Sequence, residues 1–263
     1  LYDNVTFTGW HTGFPDATVR IVPESCRAIP WEDNMLLFLG ELAPPADAYC
    51  PRGVLGRVVE RCAELGYVSR VGFEYEFFVF EETPHSVRDK NYRDLKPLAP
   101  GLFGYSVLRN SVHSAFYADL LAGTNAMDVT LEGLHEETGP GVLEAAIAAA
   151  DGMAAADKAA LLKTFTKVAA QKSGLMATFM AKWSPDWPGQ SGHIHLSLRN
   201  ADGDPVFHAA DQEHGISALM RHFIGGQQRL MPELLAMVAP TVNSFTRLIP
   251  GFWAPTEASW GID

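Results

Sequence analysis

Apolar and polar residues alternate most regularly between residues 68 and 80, in the segment VSRVGFEYEFFVF. Because successive side chains of a strand point to opposite faces, this alternation and the many aromatic residues predict a strand over 68–80. Apolar residues recur at helical spacing over residues 54–65, and Gly66 follows them in the position of a helix C-cap. The pattern therefore predicts a helix that leads directly into the strand.

Two later segments favour helices. Residues 143–173 are rich in alanine and favour a helix throughout, with a break at the Asp-Gly pair 151–152 and an end at Gly174. Residues 213–238 carry apolar residues at helical spacing. Because proline is favoured in the first turn of a helix, Pro232 predicts the start of a second helix within this segment.

Other segments favour strands or irregular structure. Residues 175–183 and 191–198 predict two strands, and residues 1–50 predict a small β element followed by an irregular stretch. The polar, Pro-containing residues 81–103 predict a flexible loop. The chain is therefore expected to combine strands with helices.

Composition and charge limit the class of protein. The chain has 263 residues, of which 47% are apolar, so it can bury a sizeable core. Its 31 acidic and 20 basic residues give a net charge of −11. Nucleic acids and anionic membranes both require a basic surface, so neither is expected as a partner.

Cysteine usage and targeting patterns predict a cytoplasmic protein. Cys26, Cys50 and Cys62 match neither a redox pair nor a zinc spacing, which predicts reduced thiols. No stretch approaches the run of about 18 apolar residues that spans a bilayer, and the first residues do not resemble a signal peptide. We therefore expect a soluble chain without a membrane partner.

The predicted strand over 68–80 places two carboxylates on one face. Glu74 and Glu76 are two residues apart, so their α-carbons lie about 6.5 Å apart with parallel side chains. A solvent-facing strand edge would explain the charges but not the aromatic neighbours, because FEYEFFVF is expected to be buried on both faces. Since buried carboxylates need a cation, the pair indicates a site where each can hold a different divalent ion.

Further glutamates flank a predicted tight turn in GLHEETGPGVLEAAI. The turn at residues 139–141 is surrounded by Glu136, Glu137 and Glu144, and it can bring Glu137 and Glu144 to one point. Surface glutamates near turns are common, and this segment alone favours that simpler interpretation. Glu144 differs from the others because its neighbours in the sequence are apolar.

Two histidines share one face of the predicted strand over 191–198. Alternation puts His193, His195 and Ser197 on the same side. A His-x-His pair on a strand can bind a metal or a phosphate, and a hydrogen-bonded structural pair is the alternative. With several glutamates available, Mg²⁺ or Mn²⁺ fits better than Zn²⁺, because hard ions prefer oxygen ligands.

Arg247 is one of few basic residues in an apolar, loop-like setting, in PTVNSFTRLIPGFWAP. It is a candidate clamp for a carboxylate or a phosphate. An arginine that lies along the surface beside a loop is the alternative, and the residue alone does not decide between them.

Five segments, taken in order, are similar to the signature segments of the glutamine synthetase family. They are GFEYEFFVF, HEETGPGVLE, ATFMAKW, SGHIHLSL and NSFTRLIPGFWAP. Together they span nearly the whole chain and are more specific than any one of them. The resemblance implies an α+β fold with a catalytic domain over residues 31–263, whose antiparallel strands form a funnel flanked by helices. Residues 1–30 would be the C-terminal part of a β-grasp domain.

The resemblance also implies an ATP-dependent ligase that acts on glutamate and an amine through γ-glutamyl phosphate, with two or more Mg²⁺ or Mn²⁺ ions per site. Carried over residue by residue, it implies that Glu76, Glu137 and Glu144 hold the cation at the glutamate end. Glu74 and His193 would hold the cation that bridges the ATP phosphates.

The resemblance assigns five further residues to the two substrates. His195 and Ser197 resemble nucleotide contacts. Arg247 matches the arginine that binds the γ-carboxylate and the phosphoryl group, and Gly189 lies where a glycine backbone meets glutamate. Tyr105 is a looser match to a tyrosine on the substrate side of the family's site.

Other features concern the amine and the assembly. Asp3 matches an aspartate that reaches into the neighbouring subunit of a ring-shaped homo-oligomer and helps to bind the incoming amine. Trp253, on the substrate side, stands where ammonia-using members carry a glutamate that accepts a proton from ammonium. Because tryptophan cannot accept that proton, an organic amine such as a polyamine or alkylamine is slightly favoured over ammonia.

The chain departs from the family's pattern in two further places, one within a motif and one at its C-terminal end. Val142 replaces the usual glutamine of the GPGQ-x-E motif. The catalytic domain is expected to be truncated, because Asp263 lies where the family continues into further arginines and a metal-binding glutamate. Three functions are therefore weighed: a glutamate–amine ligase, an ordinary glutamine synthetase that uses ammonia, and a scaffold protein that keeps the fold without catalysis.

Overall fold

The computed structural model describes Gly13 and residues 16–262, and the chain divides into two compact units, Leu1–Leu65 and Gly66–Asp263. The first unit contains an antiparallel pair of strands, β1 (Val19–Ala28) and β2 (Leu36–Leu42), and helix α1 (Pro51–Glu64). The helix confirms the prediction over 54–65. The assignment of residues 1–30 to a β-grasp domain, with a boundary between β1 and β2, stays a prediction.

The second unit is built on one antiparallel sheet. Its strands are β3 (Val68–Phe80), β4 (Leu131–Glu136), β5 (Val142–Ile147), β6 (Ala150–Asp151), β7 (Met176–Thr178) and β8 (Ile194–Arg199). Strand β3 confirms the prediction over 68–80 and is central, because it pairs with β5, β6, β7 and β8. The alternation of apolar residues along β3 thus marks the strand on which the sheet is assembled.

The second unit has six α-helices within the described residues, of which α4 and α5 contact the sheet. They are α2 (Pro84–Asp89), α3 (Val107–Val112), α4 (Ser114–Ala126), α5 (Gly152–Lys172), α6 (Ala218–Val238) and α7 (Val242–Phe245). Helix α5 packs against the face of β3 that carries Phe77 and Val79, both fully buried. Within the described residues, no helix has the length and apolar character needed to cross a bilayer.

The core continues on the other face of β3. Phe78 and Phe80 are fully buried there and pack with Val142 of β5 and with Trp183. The C-terminal half of β3 is therefore buried on both faces, as its continuous apolar sequence predicts. Glu74 and Glu76 precede this half.

The prediction of helix over the Ala-rich residues 143–173 is wrong for their first part. Residues 142–147 form β5, which pairs with β3 on one side and with β4 on the other. Helix propensities differ by only about 0.7 kcal/mol per residue among ordinary residues, so burial between two strands outweighs them. The helix begins at Gly152, after Asp151 in the N-cap position, and Gly174 beyond its end has a positive φ of 71°.

Three other predictions need correction. The predicted strand over 175–183 is limited to β7, because the backbone N–H of Gln190 bonds to the carbonyl of Ala181 and closes a loop after it. Pro232 does not start a second helix but lies inside α6, where a proline removes one backbone hydrogen bond and the adjoining turns continue. Residues 213–217 precede that helix.

The segment over 81–103, predicted as a flexible loop, contains α2 and a buried anchor, Glu82. The Glu82 carboxylate accepts hydrogen bonds from the Lys90 ammonium, the Ser86 hydroxyl and the Lys96 backbone N–H. These bonds, with that from Lys90 the strongest, hold the pKa of Glu82 at about 2. The loop is therefore tied to the sheet at the end of β3.

Candidate metal and substrate site

Three neighbouring strands place one side chain each in a row across the sheet. His135 of β4 lies opposite Glu144 of β5, and Glu144 lies opposite Glu76 of β3. Directly opposed residues of antiparallel strands point to the same face, with Cβ atoms about 4.5–5.5 Å apart. We call these three residues the cross-strand row.

Glu74 lies beside this row and contacts both predicted histidines. Its Oε2 is 3.0 Å from His193 Nδ1, and its Oε1 is 3.1 Å from His195 Nε2. Residues 191–193 extend the ladder of β8 along β3, because the Glu74 and His193 backbones exchange two hydrogen bonds. Burial alone would raise the pKa of Glu74, but the two histidines outweigh it and lower that pKa.

Glu144 is the centre of the carboxylate cluster. Burial raises its pKa to about 7, and the negative charges of Glu74, Glu76 and Glu137 add to the effect. Glu144 also belongs to two groups whose ligand atoms lie within 4.8 Å of one another: Glu74, Glu144 and His193 in one, and His135, Glu137 and Glu144 in the other. Such a concentration of negative charge is unfavourable unless a cation or a proton neutralises it.

The donor set fits two hard divalent cations. Carboxylate oxygens with an occasional imidazole suit Mg²⁺ and Mn²⁺ better than Zn²⁺, which prefers several nitrogen or sulfur ligands. The two groups share Glu144, so one carboxylate lies between both candidate positions. The sequence prediction put Glu74 and His193 on one ion and Glu76, Glu137 and Glu144 on another. The groups bring Glu74 to His193 and Glu137 to Glu144, whereas Glu76 belongs to neither group.

Glu76 connects the cross-strand row with the predicted clamp. The backbone N–H of Ser191 donates to the Glu76 carboxylate, and Arg247 is close enough for the charge of Glu76 to act on it. Burial lowers the pKa of the half-buried Arg247, and Glu76 opposes that effect. Partial burial favours a clamp over an arginine that lies along an open surface, and the role of Arg247 as a clamp stays a prediction.

Gly189 and Arg247 are in close contact. A Cβ atom added to Gly189 would lie 2.8 Å from both Cγ and Cδ of Arg247 and 2.6 Å from the carbonyl oxygen of Ala181. No side chain fits between them. The position of the glycine backbone thus defines where the arginine stem lies.

Tyr105 contacts two members of the cluster region, Glu137 and His135. Its hydroxyl donates to a carboxylate oxygen of Glu137, and this bond raises the pKa of Tyr105 to about 12. Its ring packs on the imidazole of His135, with ring centroids 5.0 Å apart. The backbone of Tyr105 is left-handed, with φ of 58°, so the loop is held in a conformation that non-glycine residues seldom adopt.

The remaining predicted residues are not joined to the cluster. Ser197 is exposed on β8, and Trp253 is 94% exposed. Within residues 16–262, no hydrogen bond or ion pair links either of them to the carboxylates. Asp3 lies outside the residues that the structure describes, so its role stays a prediction.

His135 is the residue that the sequence prediction missed. Period-two alternation from Glu137 would have placed His135 on the same face, but its position opposite Glu144 depends on the pairing of β4 with β5. The same alternation sends Glu136 to the opposite face. Glu136 therefore does not share the face of Glu137 and Glu144, the two glutamates that the turn was predicted to bring together.

Glu136 is buried without a partner. It is 2% exposed, and neither carboxylate oxygen has a hydrogen-bond partner among the described residues. Burial raises the pKa of Glu136, and the positive charge of Arg109 offsets part of that shift. A group whose pKa is raised on folding stabilises the fold below its unfolded pKa of about 4.5 and loses that contribution as pH rises through its folded pKa.

Replacing Glu136 with methionine is therefore expected to stabilise the protein. At pH 8 the free energy of unfolding should rise by about 1–4 kcal/mol, because an apolar side chain of similar size replaces an unpaired buried charge. The gain should shrink as pH falls to 4.5 and below, where the carboxylate becomes protonated in both states. Urea unfolding at several pH values measures it, with Glu132→Met, at an exposed position of the same strand, as the control. A loss of stability at pH 8 would contradict the prediction.

Comparisons with known proteins bear on this site. Residues 48–263 match the family model described as glutamine synthetase, catalytic domain. The chain is 43% identical over its whole length to type-1 glutamine synthetase 2 of Dictyostelium discoideum, and covers 51% of that protein. It is 32% identical, again over its whole length, to a glutamate–isopropylamine ligase of a Pseudomonas species, and covers 58% of that relative.

A solved structure supports the fold assignment. The structure described as apo GmaS without ligand superposes with a TM-score of 0.79 at 27% identity, over 90% of this chain and 55% of that one. The chain thus spans about half the length of the proteins that it matches. Helices on an antiparallel sheet, as the sequence resemblance implied, are shared with that structure. Since the family model covers most of the chain, the chain belongs to the glutamine synthetase family.

Proposed function

We propose that the protein is an ATP-dependent ligase that joins the γ-carboxyl group of glutamate to an amine. The observation that carries the proposal is the carboxylate cluster around Glu144. The two candidate cation positions share Glu144, and the charge of Glu76, in the same cluster, acts on Arg247. A ligase of this kind must bring together two anions, the γ-phosphate of ATP and the carboxylate of glutamate. Cations and an arginine are what such a site needs.

The proposed roles are those that the family resemblance implies, and the two groups of ligand atoms support them for Glu74 with His193 and for Glu137 with Glu144. Glu76, Glu137 and Glu144 would hold the cation at the glutamate end, and Glu74 with His193 would hold the one at the ATP phosphates. When bound, these Mg²⁺ or Mn²⁺ ions neutralise the phosphate and carboxylate charges that otherwise repel each other. His195, which contacts Glu74, and Ser197 are proposed to contact the nucleotide.

The other residues bind and orient. Arg247 presents its guanidinium to the γ-carboxylate and the transferred phosphoryl group, and the Gly189 backbone meets glutamate beside it. A carboxylate oxygen of glutamate attacks the γ-phosphorus of ATP and ADP leaves, which gives γ-glutamyl phosphate. The neutral amine then attacks the acyl carbon, phosphate leaves and the amine nitrogen loses a proton. Tyr105 and Asp3 are proposed to line the substrate side and the amine side.

Substitution of Gly189 by alanine is expected to impair this positioning. The new Cβ would overlap the Arg247 stem and the Ala181 carbonyl, so the guanidinium must shift. A misplacement of about 1 Å can reduce a rate about 10²-fold, and we expect a loss of that order in kcat/KM for glutamate. Steady-state kinetics measure it. Gly226→Ala, where a Cβ meets nothing within 4 Å, should leave kcat/KM unchanged; equal losses in both variants would contradict the prediction.

An organic amine is proposed as the acceptor in preference to ammonia. Trp253 offers no group that can take a proton from ammonium, whereas an alkylamine can use the indole as an apolar contact. A relative that is 32% identical is named for isopropylamine, and a further relative, 35% identical, is named gamma-glutamylethanolamide synthetase GlnA4 and comes from Streptomyces coelicolor. These names support the proposal but leave the amine open.

Ordinary glutamine synthetase is the second candidate, because the 43% identical relative carries that name. Phosphate release by the full-length protein with ATP, glutamate, Mg²⁺ or Mn²⁺ and a panel of amines distinguishes the two, with products identified by mass spectrometry. We expect at least a 10-fold higher kcat/KM for an alkylamine or polyamine than for ammonia, and a shift toward ammonia in Trp253→Glu. Turnover with ammonia alone would overturn the preference.

A scaffold protein without catalysis is the third outcome of the same experiment. It would be indicated if the full-length protein released no phosphate and bound neither Mn²⁺ nor ATP. The domain assignment over residues 31–263, the ring-shaped homo-oligomer with sites between subunits and the cytoplasmic location remain part of the proposal. Analytical ultracentrifugation of the full-length protein tests the assembly.

A further inference from the structure

We propose that His135 supplies an imidazole ligand to the cation held by Glu137 and Glu144, and that this ligand makes the position favour Mn²⁺ over Mg²⁺. The inference deepens the proposed function, on whose cation site it rests. It concerns the third member of the cross-strand row, whose role the family resemblance leaves unassigned.

The register of the sheet brings His135 to the cation position. His135 lies directly opposite Glu144, and its Nε2 is 3.9 Å from Glu144 Oε2. Two atoms bound to one ion at about 2.1 Å each lie about 3–4 Å apart, so the two groups need little movement to share an ion. Glu137, two residues along the same strand face, completes a group of three within 4.8 Å.

The orientation of the imidazole is that of a metal ligand. Its Nδ1 lies 3.4 Å from the carbonyl oxygen of Glu136, and its Nε2 faces Glu144. With the proton on Nδ1 directed to that carbonyl, the lone pair of Nε2 points into the carboxylate cluster. Histidines that bind metals are commonly oriented in this way, by a hydrogen bond from the second nitrogen to a backbone carbonyl.

Tyr105 fixes the plane of the ring. The two ring centroids are 5.0 Å apart, and the Tyr105 hydroxyl is bonded to Glu137, so one residue contacts both of the candidate ligands on β4 and its extension. A side chain held by packing on one face and by a hydrogen bond at Nδ1 loses little freedom when it binds an ion. The position is therefore prepared for a nitrogen ligand.

A nitrogen ligand changes which ion is favoured. Mg²⁺ is a hard ion that prefers carboxylate and water oxygens in a near-ideal octahedron. Mn²⁺ is larger and less strict in geometry, and as a first-row transition ion it accepts imidazole more readily. Adding His135 to Glu137 and Glu144 should thus strengthen Mn²⁺ binding more than Mg²⁺ binding.

The test titrates the full-length protein with Mn²⁺ alone and with Mg²⁺ alone by calorimetry. We expect His135→Gln to weaken Mn²⁺ binding at one position about 10–100-fold and Mg²⁺ binding by less than about 3-fold. His135→Phe, which keeps a ring beside Tyr105, should show the same loss of Mn²⁺ affinity. His85→Gln, at an exposed position of α2, is the matched control and should bind both ions as the wild type does.

Pulsed EPR of bound Mn²⁺ identifies the ligand directly. In a His193→Gln background, a ¹⁴N coupling from directly bound imidazole should remain, and it should disappear when His135→Gln is added. Wild-type affinity in both His135 variants, a coupling that persists in the double variant, or a wild-type protein that binds no Mn²⁺ would each overturn the inference. Neither experiment uses ATP or an amine, so both report on the His135 ligand independently of catalysis. If Mn²⁺ bound with His135 as a ligand but the full-length protein had no ligase turnover, the proposed function would be wrong and the inference about His135 would stand.

Discussion

Replacing Glu144 with glutamine is expected to abolish tight binding of divalent cations at both candidate positions. Glu144 is the residue that the two groups of ligands share, so a neutral amide there removes a charged ligand from each. Loss of a residue that only supports a ligand costs about 10–100-fold in metal affinity, and loss of the ligand itself should exceed that range. Calorimetric titration with Mn²⁺ measures the change, and ligase activity should fall with it.

The same substitution is expected to have the opposite effect on the metal-free protein. The pKa of Glu144 is raised to about 7, so its charge destabilises the fold by roughly 3 kcal/mol above that pH, at about 1.4 kcal/mol per pKa unit. As pH rises from about 4.5 through 7 in EDTA, the wild type should therefore lose roughly 3 kcal/mol more stability than Glu144→Gln does.

These two readouts separate a cation ligand from a structural residue. If Glu144 only supported the fold, its replacement would lower stability with and without metal, and Mn²⁺ affinity would change little. Glu132→Gln, at an exposed position of β4, is the control for removing a carboxylate from the sheet. A variant that kept wild-type Mn²⁺ affinity would contradict the assignment of Glu144.

Substitution of Arg247 by lysine is expected to reduce kcat/KM of the proposed reaction by about 10³-fold or more. A lysine keeps the charge but loses the planar fork that binds a carboxylate or phosphoryl group through two parallel hydrogen bonds. Arginines that stabilise phosphoryl transfer contribute about 10³–10⁵ in rate. The stem of Arg247 also packs against Gly189, which fixes where the side chain starts. A lysine at this position carries its donor nitrogen less far along that path, which adds to the loss.

Kinetics of phosphate release with saturating ATP measure this effect. Arg221→Lys is the matched control, since Arg221 is exposed on α6 and its side chain contacts Glu213 through an ion pair at 3.9 Å and a hydrogen bond to the backbone carbonyl at 3.4 Å. Glutamate affinity and kcat should both fall in Arg247→Lys, while thermal stability changes little. Retention of more than a tenth of the wild-type kcat/KM would show that Arg247 is not the clamp.

The parts of the site that could be predicted from the sequence are those encoded within one strand. Alternation correctly put Glu74 and Glu76 on one face of β3, and His193 and His195 on one face of β8 and its extension, because the repeat of a strand is fixed by its backbone. The contact between the two strands, which brings both histidines to Glu74, needed the structure or a resemblance.

The parts that depend on pairing could not be predicted in this way. The Ala-rich composition of residues 143–147 favours a helix locally, and only insertion between β3 and β4 makes them a strand. His135 was missed for the same reason, since its neighbour Glu144 is nine residues away in the chain but directly opposite in the sheet. Pro232 within α6 shows that a single start signal is weaker than the apolar repeat around it.

The central position of β3 has an evolutionary consequence. One strand carries both the most buried aromatic residues and two of the proposed cation ligands, so a substitution that rebuilt the ligands would also disturb the pairing of four other strands. Trp253, by contrast, is almost fully exposed, and surface positions generally tolerate change at little cost in stability. On the proposed function, changes of the acceptor substrate are therefore expected at exposed positions such as Trp253, while the proposed cation ligands on β3 stay constant.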